Sequence, residues 1–193
     1  MIIRLFGGAA TVGHSEYESI KAKVAGSNIS PRTLLATDYM NHFNEIVMLL
    51  EMIPDMPDLY EEAREWRPKS YQEHFKDSSF SDRDLAVEAY DHVPAQFRER
   101  FETTIQQMDS VILTCLERIE DLLQSGQADT IRIRTRALLA LLRQLGDVAN
   151  GIIHGGETVM HQDEIDGVMK GGETHSTSDD HASQADIDAL FND

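Results

Sequence analysis

Phe101, Ile105, Met108, Ile112, Cys115, Ile119 and Leu122 follow one another at alternating spacings of four and three residues. Apolar residues at this period form the a/d seam of packed helices, so the spacing predicts one long helix. It begins after Pro94, whose missing N–H costs nothing in a first helical turn. Ser125-Gly126 ends it, because glycine suits the left-handed backbone just past a helix C-terminus, and Asp129 is placed to cap a successor. Leu138, Leu141, Leu145, Val148 and Ile152 then repeat the seam. Two long helices joined by a short turn lie antiparallel. The expected fold is all-α, organised around a long antiparallel helical hairpin over residues 94–154.

Val111, Leu116 and Leu123 on the first helix, and Leu139, Leu142, Ala149 and Ile153 on the second, lie off the seam. A lone hairpin leaves that second stripe wet, so it packs on upstream helices or pairs with a second copy as a four-helix bundle. Both arrangements stay open at this point. A heavily apolar helix is predicted from residue 30 to about 53, where Pro54 stops it. Shorter helices are predicted over 58–66 and 82–91, the second opened by Ser81 with Asp84 three residues on, which resembles a capping box. Residues 30–154 form the helical domain. Residues 1–29 read as an arm, disordered or docked, because Ile2 to Phe6 would make a strand without a partner.

The charge is uneven. Of 193 residues, 34 are Asp or Glu and 17 are Lys or Arg, a net charge of −17. This balance disfavours nucleic-acid phosphates and anionic lipid surfaces as partners and favours basic or neutral ones. Apolar runs such as Ile46 to Leu50 are far shorter than the ~20 residues that span a bilayer. Cys115 is the sole cysteine, so no disulfide forms within the chain. Together with the lack of a secretory pattern at the start, this predicts a cytoplasmic protein. Residues 155–193 hold ten acids against Lys170 alone and lack a sustained apolar period. They are expected to be a disordered acidic tail.

Inside that tail a short motif occurs twice. Residues 162–169 read QDEIDGVM and residues 184–191 read QADIDALF, both fitting Q-x-[DE]-I-D-[AG]-Φ-Φ, where Φ is apolar. Ile165, Val168 and Met169 in one copy, and Ile187, Leu190 and Phe191 in the other, fall at i, i+3 and i+4. That spacing makes a single apolar face on about two helical turns, with carboxylates opposite. So short a helix cannot stand alone in water and needs a groove. Ser183 with Asp186 supplies a capping box for the second copy, whereas the first has His161 at that place. The expected partner-binding residues are Gln162, Ile165, Asp166, Val168 and Met169, and Ser183, Gln184, Asp186, Ile187, Asp188, Leu190 and Phe191.

Ser183 to Phe191, SQADIDALF, resembles the peptide at the N-terminus of flagellar switch proteins of the FliM and FliN type, and a similar peptide ends the CheZ chemotaxis phosphatases. In those families the peptide is a docking helix for CheY, a phosphorylated response regulator. The resemblance implies a chemotaxis or flagellar-motor signalling protein that binds a CheY-like regulator through both tail peptides. CheZ is also similar in outline, with a long hairpin, a linker and a terminal peptide, which implies response-regulator phosphatase activity as the alternative to an adaptor. In CheZ a Gln with a nearby Asp orients the attacking water. Here Gln106, Gln107 and Asp109, and Gln144 and Asp147, stand outside the family's D-x-x-x-Q pattern, so no catalytic residue is assigned. No cofactor is expected on this chain; a response regulator carries its own Mg²⁺.

Three other groupings bear on chemistry. His42, Glu45, Glu51, Glu61, Glu62, His74 and His92 offer carboxylate and imidazole ligands in a helical setting, yet no Glu-x-x-His occurs, and a metal-binding bundle is the weakest reading. Asp38 and Asn41 pair an acid with an amide one turn apart, a second candidate for placing a water. Trp66 and Tyr71 flank Arg67-Pro68-Lys69, read as a packed loop, and Cys115 on the seam reads as a buried apolar residue.

Overall fold

In the computed structural model, which describes residues 9–171, eight α-helices carry the fold. They are α1 (Ala9–Lys23), α2 (Asn41–Met52), α3 (Tyr60–Ala63), α4 (Tyr71–Asp77), α5 (Arg83–Tyr90), α6 (Ala95–Gln124), α7 (Ile131–Ile153) and α8 (Gln162–Gly171). Among the described residues the only β pairing is a single bridge between Ile29 and Ala36. The predicted all-α class and the antiparallel hairpin are both present, with α6 against α7 as the most extensive helix contact. Pro94 is the N-cap of α6, and Gly126 takes the predicted left-handed backbone at φ 71°. Of the seam residues, only Leu122 and Val148 stay partly exposed. Each fully buried Leu or Ile contributes on the order of 1.5–3 kcal/mol, so the seam is a substantial part of the body's apolar stabilisation.

The off-seam stripe is covered from within the chain. α2 packs on both hairpin helices and α3 packs on α6, while α8 lies on both from the other end of the sequence. Val111, Leu142, Ala149 and Ile153 are fully buried as a result.

Upstream of the hairpin the expected boundaries shift. The helix predicted from residue 30 begins only at Asn41, after a 3₁₀ turn over Thr37–Met40. The intervening chain folds into a tight loop in which the Leu34 N–H donates to the Ser30 carbonyl and the Ser30 N–H to the Leu35 carbonyl. Leu34 sits at φ 63°, backbone that a non-glycine residue adopts at a cost of about 1–2 kcal/mol. Full burial of Leu34, Leu35 and Ala36 offsets it. The predicted 58–66 helix splits into a 3₁₀ turn at Pro57–Leu59 and the single-turn α3. Over 82–91 the helix is present, but Ser81 and Asp84 make no capping box; Asp82 occupies the N-cap without a side-chain bond. Asp129 likewise lies within a 3₁₀ turn rather than capping α7. The reciprocal capping box belongs to α4, between Ser70 and Glu73.

Three tyrosines knit these short pieces together. The Tyr39 ring lies 5.3–5.6 Å from Phe43, Tyr71, His74 and Phe101, and Tyr71 stacks on Tyr90 at 4.6 Å. The Tyr39 hydroxyl donates to the Lys69 carbonyl at 2.7 Å, and the Tyr71 hydroxyl accepts the Ala36 N–H at 2.8 Å. The described part of the arm docks as well: Ile20 and Val24 are buried, and the Tyr17 hydroxyl donates to the Arg32 carbonyl at 2.9 Å, whereas Ile2 to Phe6 lie outside the described residues.

Candidate functional site

α7 ends in a two-glycine turn. Gly155 takes φ 90°, its N–H donates to the Ile152 carbonyl, and the Gly156 N–H donates to the Gly151 carbonyl at 2.7 Å. That bond pair is a Schellman motif, which satisfies the last helical carbonyls and turns the chain back. After five intervening residues α8 begins, its first turn bonded to the His161 carbonyl through the Glu164 N–H. The disorder expected from residue 155 therefore does not extend over 155–171, because the tail returns to the body.

α8 contains the first repeat, and the partner groove that so short a helix requires is the chain's own hairpin. Ile165 is completely buried, and Val168 and Met169 pack at the edge of the core. Asp163, Glu164 and Gly167 face solvent. The Gln162 amide donates to Asp166 at 2.8 Å, and its carbonyl accepts from the buried amide of Gln107 on α6 at 3.1 Å. Arg118, three turns further along α6, donates to the Met169 main-chain carbonyl at 3.1 Å. Gln107 therefore meets the start of α8 and Arg118 its end, so α8 runs in the direction of α6. Lys170 sits 3.6 Å from Asp166 on the wet face. Ser183, Gln184, Asp186, Ile187, Asp188, Leu190 and Phe191, the second repeat, lie outside the described residues.

Gln107 and Arg118 were not expected as peptide contacts. Their signal is a second stripe on α6, Gln107, Val111, Thr114 and Arg118, at the same four-three-four spacing as the seam. Its polar ends concealed it from a search for apolar periods.

Two clefts flank the tyrosine cluster. A polar one of about 410 Å³ gathers Asp38, Asn41, His42, Glu45 and His74 with Lys69 and Asp77. It thus unites the Asp38/Asn41 pair with His42, Glu45 and His74 of the proposed metal ligands. His42 stacks on Trp66 at 5.0 Å, and its Nε2 is buried without a partner. Burial, then the nearby His74 and Lys69 charges, pushes the His42 imidazole down to about 4; His74 is lowered mainly by burial. Both rings are neutral bases near pH 7. Among the described residues no three His, Cys, Asp or Glu side chains converge as a metal cage. Glu51 instead pairs with Arg143 at 2.6 Å.

A smaller cleft of about 260 Å³ is walled by Tyr39, Tyr71, Tyr90, Phe101 and Ile105 and carries Gln106 and Asp109 on adjacent turns of α6. The Tyr90 hydroxyl donates to Glu102 at 2.8 Å on its rim. Asp109 Oδ1 is buried without a hydrogen-bond partner, and burial pushes its carboxyl up to about 6. An amide beside a carboxyl that holds its proton up to about pH 6 can hold and polarise a water or a small polar group. Gln144 and Asp147 are exposed on α7, apart from this cleft. Cys115 is fully buried, with its thiol pushed up to about 12, the state of an inert seam residue.

Compared with protein family models, curated proteins and solved structures, the chain has no match.

Proposed function

We propose that this chain is a signalling protein of the chemotaxis or flagellar-motor type that captures a CheY-like response regulator through its tail peptides. The observation that supports it is the behaviour of the first repeat: QDEIDGVM forms an amphipathic helix that buries Ile165, packs Val168 and Met169, and keeps its acids in water. Helix-in-groove docking is the binding mode the motif was expected to use. With the first repeat engaged on the body, SQADIDALF at 183–191 is the copy that meets the regulator. Its acids steer it toward a basic rim. The test is fluorescence anisotropy of the regulator, phosphorylated or loaded with beryllofluoride, titrated with the full chain. Ile187→Ala with Leu190→Ala is expected to weaken binding at least tenfold; undiminished binding defeats the proposal.

One observation favours a second reading, CheZ-like phosphatase activity. Gln106 and Asp109 share a cleft on the hairpin, so a side-chain amide stands beside a carboxyl where a tethered aspartyl phosphate can be presented. Under this reading the full chain speeds decay of the regulator's aspartyl phosphate, and Gln106→Ala removes the acceleration without weakening tail binding. Unchanged decay in the presence of bound full chain leaves the adaptor alone.

A further inference from the structure

The residues the two repeats share are the ones that hold α8 on the hairpin. The common Gln is Gln162, which pairs with Gln107, and the common Asp is Asp166, which accepts from Gln162. The common Ile is Ile165, fully buried, and the apolar pair is Val168 and Met169, packed on the core. Where the copies differ outside the apolar pair, the first copy faces water: Asp163 against Ala185, Glu164 against Asp186, and Gly167 against Ala189; within the pair, Val168 and Met169 are exchanged for Leu190 and Phe191, which stay apolar. A Cβ on Gly167 meets no atom within 4 Å, so the alanine of the second copy fits. Arg118 reads a main-chain carbonyl, which any sequence supplies.

We infer that the face between α6 and α7 is a receptor for the motif itself, and that residues 184–191 are its second occupant, the two repeats filling it one at a time. The tethers differ modestly. Residues 154–161 connect α7 to the first repeat and residues 154–183 to the second. Loop closure lowers the local concentration of the second by about sevenfold. Ser183 offsets this with an N-cap side chain that His161 lacks, and Leu190 and Phe191 bring more apolar surface than Val168 and Met169. Such close competition makes the groove an exchange point: a partner that captures one repeat leaves the other to refill it. The inference needs no regulator and stands or falls on the chain alone.

The test places a nitroxide on Asn192→Cys in the full, isotope-labelled chain, since Cys115 is buried and unreactive, and follows amide signals by NMR. In the Ile165→Asp variant the amides of Gln107 and Arg118 are expected to be lost to the label, and Ile165→Asp combined with Ile187→Asp restores them. Intact signals in the single variant, or losses that persist in the double variant, overturn the inference. Losses that arise only when labelled and spin-labelled chains are mixed also overturn it, by assigning the occupant to a second molecule. Should Ile165→Asp unfold the chain, the unsubstituted protein is titrated with a synthetic 183–193 peptide. Shifts at Gln107, Arg118 and α8 support the exchange, and their absence with excess peptide defeats it.

Discussion

The hairpin and the segment before it bury their apolar side chains by opposite means. α6 and α7 use repetition: 30 and 23 residues with one apolar period and a chain of interchangeable aliphatic contacts. Residues 29–91 use particular bonds, with two tyrosine hydroxyls holding loop backbone, one reciprocal cap, and a leucine at positive φ. Redundant packing tolerates the loss of any one bond but is sensitive to cavities. The bonded segment should invert that pattern, since a buried N–H or C=O left alone costs the full desolvation of the group.

The largest expected effect tests the hairpin side. Leu141→Ala empties a fully buried seam site and should lower unfolding free energy by about 2–5 kcal/mol, read from the shift of a urea midpoint at unchanged slope. Next is Tyr71→Phe, which removes only a hydroxyl yet strands the Ala36 N–H. A loss of about 1–3 kcal/mol by the same measurement keeps the contrast, and a neutral result breaks it.

The third prediction uses pH. His42 is held neutral in the fold down to about 4, whereas the unfolded ring titrates at about 6.5. Between these values the unfolded state binds more protons, so stability is present above pH 6.5 and lost as pH falls towards 4, by up to about 3 kcal/mol. Asp109, raised to about 6, works in the opposite direction, because the fold keeps its proton over a range where the unfolded carboxyl has released it. Thermal melts from pH 7 to 4 should therefore steepen in Asp109→Asn and flatten in His42→Phe. Smallest is Ser70→Ala, which removes the α4 cap and should cost about 1 kcal/mol; a loss as large as that of Tyr71→Phe would show that the cap, not the ring cluster, anchors the segment.

This difference also explains what was legible in the sequence. Seam residues announce a period, so the hairpin, its Gly126 turn and Pro94 start were readable within a residue or two. No period announces that Tyr71 serves Ala36 or that residues 33–36 bury as a loop, so the helix expected from residue 30 was drawn too long. Apolar content alone cannot separate a buried loop from a buried helix. Gln106 and Asp109 were visible as a pair, but the tyrosine walls of their cleft come from residues distant in the chain. The repeat was legible because it is a copy of itself; its resting place was not, because Gln107 and Arg118 are polar.

Gly155 and Gly156 set the direction in which the chain leaves α7. A Cβ on Gly156 would lie 2.8 Å from the Gly151 carbonyl oxygen, and one on Gly155 would meet the Arg32 side chain at 2.6 Å. Under the exchange inferred above, the turn acts as a fixed aiming device, setting where the tail starts its search for the hairpin. A single methyl at Gly156 would alter that geometry while leaving every peptide and groove residue in place, so under that inference the two glycines tune the ratio of held to presented peptide.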